Sequence, residues 1–213
     1  NVVEAAINCQ KFGADGVTIH PRPDERHIAR KDVYDIKPII STEFNIEGYP
    51  SEDFIKMVLE INPEQVTLVP DGPDVITSCA GWDTIKFQSY LKEIISIFQE
   101  KGIRTSIFVD PEIEMIEGAK LCGTDRVELY TEDYAINYSK NKEQSIAPYI
   151  EAAKKATELG LGIYAGHDLS LENLEYFAKE IPNLAEVSMG HSLISDALYL
   201  GLENTIQMYK RLL

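Results

Sequence analysis

The 213-residue sequence predicts an α/β fold, a parallel (β/α)8 barrel with extra helices, on three observations. Short β-branched runs alternate with longer amphipathic stretches along the whole chain, with no low-complexity linker and no shift of composition, which is the pattern of repeated βα units. All four histidines fall at or just past the ends of predicted strands, and Glu47 and Glu128 close two more. In parallel α/β folds those ends converge on one face, where the chemistry is done. Finally, no Gly-x-Gly-x-x-Gly follows the first predicted strand and no acidic residue stands at the dinucleotide distance beyond it, which disfavours the competing open, doubly wound sheet.

The elements follow in order. The chain opens on a helical pattern from Val2 to Phe12, and the run Gly-Val-Thr-Ile-His makes the first visible strand, 16–20. Glu-Phe-Asn-Ile-Glu makes the next, 43–47, and Ser51 starts a helix over 51–61. A strand at 65–70 leads into a long connection, 71–85, whose glycines, proline and lone Trp82 suit an active-site lid. A helix over 86–101 returns through Gly102 to a strand at 104–109, with Asp110 as the next helix start. After a strand at 125–130, residues 131–144 form a second long connection, readable equally as a functional loop, an extra surface helix or an oligomer contact. A helix at 145–159, glycines 160 and 162, a strand at 161–166, a helix start at Ser170, a strand at 186–190 and a helix over 195–212 begun by Ser195 complete the chain. Seven strands are visible, whereas a closed TIM barrel has eight and nothing strand-like precedes the first helix. The expectation is one barrel domain over 1–213 whose first strand is missing from this chain.

Composition narrows the function. With 44% hydrophobic and 26% charged residues the chain can bury one good core. A formal charge of −15 argues against nucleic-acid binding, which depends on basic surface, but leaves room for small phosphorylated ligands gripped by a few local donors. No apolar run approaches a membrane span and no signal-peptide pattern opens the chain, so the expected location is the cytoplasm, without membrane association. Cys9, Cys79 and Cys122 are widely spaced and read as packing residues.

Four segments carry candidate chemistry. In Val17-Thr-Ile-His-Pro-Arg-Pro-Asp-Glu-Arg-His27 a strand delivers His20 to the mouth, prolines stiffen its exit, and Arg22 and His27 are held nearby as donors for an anion. Glu47 closes its strand ahead of Gly48, which leaves space above it; enclosed by barrel walls, its pKa would rise toward neutrality. Tyr164-Ala-Gly-His167-Asp168 and Ser188-Met-Gly-His191-Ser192 repeat a Gly-His step at the last two strands, where barrels often build phosphate sites. No lysine stands at a predicted strand end, so an enzyme Schiff base lacks its nucleophile. His20, Glu47, Glu128 and His167 could also hold a divalent metal, which keeps a metal-dependent sugar-phosphate isomerase or aldolase open, beside a non-catalytic phosphometabolite-binding protein.

Across nearly the whole chain these residues resemble the pyridoxine 5'-phosphate synthase family of vitamin B6 biosynthesis. The resemblance rests on Gly13-Ala-Asp-Gly-Val-Thr-Ile-His-Pro-Arg-Pro-Asp-Glu-Arg-His-Ile28, Asn45-Ile-Glu47, Leu68-Val-Pro70 with Thr77, Ala165-Gly-His167, and Gly190-His191 before a last helix ending Met208-Tyr-Lys-Arg-Leu. It implies a barrel with extra helices, a homo-octamer, and catalysis without metal or organic cofactor. The implied reaction joins 1-deoxy-D-xylulose 5-phosphate to 3-amino-2-oxopropyl phosphate, giving pyridoxine 5'-phosphate, inorganic phosphate and water. By motif, His20 and Glu47 take the two proton-acceptor positions and His167 the proton-donor position. Arg22, His27 and Thr77 match positions that bind the deoxyxylulose phosphate; Asp168, Gly190 and His191 match those contacting the amino-ketone phosphate; Glu128 matches a further acidic residue at the mouth. Three departures stand out: the family's Asn-rich first strand has no counterpart, Asp168 stands where many members have glycine, and Tyr164 replaces a common asparagine beneath His167.

Overall fold

The computed structural model describes residues 1–72 and 80–213. Strands β1 (Gly16–Ile19), β2 (Glu43–Gly48), β3 (Gln65–Leu68), β4 (Arg104–Val109), β5 (Arg126–Tyr130), β6 (Gly162–His167) and β7 (Leu184–Met189) pair in parallel in sequence order. The edges β1 and β7 face each other across a cleft of about 510 Å³ lined by Gly16, Thr18, Val187 and Ser188 among others, so the sheet curls into a nearly closed barrel. Helices α1 (Val2–Lys11), α2 (Arg30–Ile36), α3 (Glu52–Ile61), α4 (Gln88–Gln99), α5 (Ile113–Cys122), α6 (Glu132–Tyr138), α7 (Lys142–Glu158), α8 (Leu174–Glu180), α9 (His191–Leu200) and α10 (Leu202–Lys210) connect and cover the strands.

Strand periodicity sorts the side chains onto two faces. Val66, Leu68, Ile107, Val109, Val127, Leu129, Ile163 and Ala165 join the core with Leu91, Ile95, Phe98, Ile116, Ala152 and Ala156 from the helices. The opposite parity points into the barrel and is polar at successive levels. At the N-terminal end Arg104 binds Gln65 (2.8 Å) and Glu43, while Arg126 binds Glu186 (2.6 Å) and Gln65 (3.2 Å). One level up, Thr67 Oγ1 donates to Asn45 Oδ1 at 3.2 Å and Asn45 Nδ2 to Thr18 Oγ1 at 3.4 Å. The lower charges are thus mutually neutralised, leaving the upper level for chemistry.

Several local expectations change. The 195–212 helix is two, α9 and α10, because Gly201 breaks it at φ +79°, and α9 begins at His191, directly after Gly190, rather than at Ser195. Residues 131–144 carry α6 and the start of α7, the extra-helix reading. Asp110 caps no helix; Glu112 precedes α5, and the Asp110 carboxylate instead accepts from the Gly81 N–H at 3.0 Å. Ser51 does cap α3, its Oγ accepting from Phe54 N at 3.2 Å. Trp82, read as part of a lid, is buried, stacks on Tyr49 at 6.0 Å, and its backbone N–H donates to Phe108 O at 2.8 Å, so this end of the connection is anchored.

Candidate active site

β1 and β2 pair Thr18 with Asn45 and Ile19 with Ile46, which carries His20 and Glu47 side by side to the C-terminal face. His20 Nδ1 lies 3.9 Å from Glu47 Oε2. Across the barrel mouth, β5 and β6 pair Glu128 with Tyr164, and His167 Nδ1 reaches back to within 3.4 Å of Glu128 Oε1. Glu128 is fully buried and its oxygens accept no hydrogen bond from the described residues, so the contact is ionic, without aligned hydrogen-bond geometry. Two carboxyl–imidazole pairs therefore share one barrel mouth.

The Gly-His step of β6 has two physical reasons. A Cβ on Gly166 would sit 2.5 Å from Glu128 Oε1, so glycine makes room for the carboxylate. His167 itself has φ +88°, a left-handed backbone costly for a side chain of this size, and its surroundings hold it there. Thr131 Oγ1 donates to Gly166 O at 2.6 Å and accepts from Asp168 N at 3.0 Å, clamping the turn on both sides. Phe108 and Tyr130 cradle the imidazole, with ring centroids 4.7 and 5.9 Å away. Gly48 plays a different part from the expected one: the Phe54 ring of α3 occupies the place its Cβ would take, 2.2 Å away, so no space is left there.

Burial and charge set contrasting protonation states. Burial first, then the positive charge of Arg22 and neighbours, lower the His20 pKa to about 3, leaving a neutral imidazole. Burial first, then the Glu128 carboxylate, raise the Glu47 pKa to about 8. For His167 burial works downward, but the Glu128 carboxylate beside it and Glu47 beyond outweigh that and lift it to about 9, an imidazolium at neutral pH. The Tyr164 hydroxyl beneath is held protonated by burial, then by Glu128 and Glu47.

Other expected residues lie on the loops of the same mouth. Arg22, its side chain largely buried, meets Asp71 at 3.0 Å, and His27 is exposed on the same loop. Asp168 follows His167, and its raised pKa comes from burial, eased by His167 and His191. Gly190 and His191 are exposed where β7 hands over to α9, and among the described residues no side chain caps the first turn of that helix. Thr77, and with it Cys79, lies outside the described residues. Sequence reasoning missed Phe108, Tyr130 and Thr131; the first two share strand parity with Ser106 and Glu128, the signal that would have turned them inward. Among the described residues no group of three or more His, Cys, Asp or Glu side chains is arranged to hold a metal ion, and no helix is long and apolar enough to cross a membrane.

Comparison with known proteins adds kinship. The family model described as pyridoxal phosphate biosynthesis protein PdxJ matches residues 1–213. Pyridoxine 5'-phosphate synthase of Bacteroides thetaiotaomicron is 62% identical over 213 residues, all of this chain and 90% of that relative. The namesake in Cytophaga hutchinsonii is 62% identical over 211 residues, 99% of this chain and 89% of the relative. Among solved structures, phosphoribosyl anthranilate isomerase of Thermotoga maritima superposes with a TM-score of 0.64 at 15% identity, covering 98% of this chain and 92% of that one. Thiamine phosphate pyrophosphorylase of Pyrococcus furiosus gives 0.62 at 11% identity, covering 100% and 89%. At such identities these two speak for the barrel fold alone.

Proposed function

The chain belongs to the pyridoxal phosphate biosynthesis protein PdxJ family, and we propose that this pyridoxine 5'-phosphate synthase, one barrel domain over 1–213, joins 1-deoxy-D-xylulose 5-phosphate to 3-amino-2-oxopropyl phosphate. The observation that carries this mechanism is the pair of carboxylate–imidazole contacts with opposite protonation, His20–Glu47 and Glu128–His167, at one barrel mouth. Ring closure needs an imine between substrate amine and ketone, loss of phosphate, addition of water, carbon–carbon bond formation and dehydration, and every step moves protons. Neutral His20 accepts protons, as does Glu47 once ionised, and the His167 imidazolium donates one to a departing or developing oxygen. Glu128 keeps that imidazolium charged. Arg22, His27 and Thr77 bind the sugar phosphate, and Asp168, Gly190 and His191 the amino-ketone phosphate, an assignment that rests on the motif matches.

The working unit we propose is a cytoplasmic homo-oligomer, eight copies by family resemblance. It is supported by apolar side chains on α9, where Leu198 is 80% and Tyr199 89% exposed; sedimentation equilibrium tests the count. For the activity, the protein incubated with both substrates should release pyridoxine 5'-phosphate and inorganic phosphate. Binding of both without product would favour a phosphometabolite-binding protein. Turnover only on adding a divalent ion would favour a metal-dependent barrel enzyme.

A further inference from the structure

The connection leaving β3 carries Asp71, whose side chain is only 3% exposed, and its Oδ2 accepts a hydrogen bond from Arg22 Nη2 at 3.0 Å. Arg22 is itself 10% exposed, so the pair is shielded from solvent on both sides. A contact of this kind is not surface decoration. A shielded charge pair loses its balance when one member is removed, and a charge-assisted hydrogen bond fixes the plane of a guanidinium as well as its position. The pair ties together two loops of the mouth, the one after β1 that carries His20, Arg22 and His27 and the one after β3. The Asp71 charge also adds to that of Glu128 in raising the Glu47 pKa.

We propose that Asp71 is a positioning residue for anion recognition: it holds the Arg22 guanidinium in the plane from which the arginine meets the phosphate of the sugar substrate. This rests on the assignment of Arg22 to that substrate made above. The opposite role, Asp71 masking Arg22 until substrate displaces it, would require the same contact but has the opposite sign in a binding experiment.

The test is steady-state kinetics of the full chain with each substrate varied in turn, for Asp71→Asn, Asp71→Glu, Arg22→Gln and the double variant Arg22→Gln/Asp71→Asn. Asp71→Asn should raise KM for 1-deoxy-D-xylulose 5-phosphate about tenfold, the scale of one charge-assisted hydrogen bond, and leave KM for 3-amino-2-oxopropyl phosphate within about twofold. Asp71→Glu, which keeps the charge, should raise the sugar-phosphate KM by only about threefold, and this milder variant carries the test if Asp71→Asn does not fold. In the Arg22→Gln background the Asp71 substitution should add less than about twofold, because the residue it positions is gone. An unchanged or lowered sugar-phosphate KM in Asp71→Asn, or an equal rise for both substrates, would overturn the proposal. A normal sugar-phosphate KM in Arg22→Gln would instead overturn the assignment of Arg22.

Discussion

Replacing Glu128 by Gln removes a charge while keeping shape, and its largest effect should be felt at His167. With His167 Nδ1 3.4 Å from Glu128 Oε1, Coulomb's law at an effective dielectric constant near 20 gives about 5 kcal/mol. That corresponds to roughly three to four pKa units, and partial solvent access to the imidazole trims it to about two or three. Glu47 and Asp168 still support the charge in the variant, while burial opposes it. The His167 pKa should therefore fall from about 9 to between about 6 and 7. Glu47, relieved of the like charge, should titrate lower as well. Imidazole titration by NMR reads this directly, with His167 identified among the four histidines by its absence in His167→Asn. A His167 that still titrates near 9 in Glu128→Gln would refute the pairing as the source of its charge.

Two further outcomes follow from the same geometry. In the wild type kcat/KM should rise as pH passes about 8, where Glu47 loses its proton and becomes an acceptor, and fall above about 9, where His167 loses the proton it donates; both limbs belong to the coupled site. A profile flat from about pH 7 to 10 would contradict these assignments. Gly48→Ala places a methyl where the Phe54 ring lies, 2.2 Å from its nearest atom, and should lower stability by about 1–3 kcal/mol in urea unfolding; unaltered stability would mean that α3 shifts freely.

The strands were legible because β-branched runs bounded by glycines and polar residues admit few alternatives, and every predicted strand overlaps an observed one. The last helix was not, because its apolar pattern runs through Gly201 while its backbone does not. At the site, His20, Glu47 and His167 announce themselves as polar residues ending strands. The Glu128–His167 contact does not, since Glu128 lies inside β5 and meets His167 only through the register with β6 and the left-handed turn at the strand end. Phe108 and Tyr130 read as ordinary core from sequence; only barrel parity turns them toward the imidazole. Asp71 is invisible as a partner of Arg22 because 49 residues separate them.

The central claim is that this barrel mouth performs acid/base chemistry, and Glu47→Gln tests it most directly. The introduced carboxamide would fill the same space beside His20 but could neither take nor give a proton. With fold and substrate affinity checked by thermal melting and calorimetry, kcat for pyridoxine 5'-phosphate formation should drop by about a hundredfold or more. Turnover near the wild-type rate in a folded, substrate-binding Glu47→Gln would contradict the account.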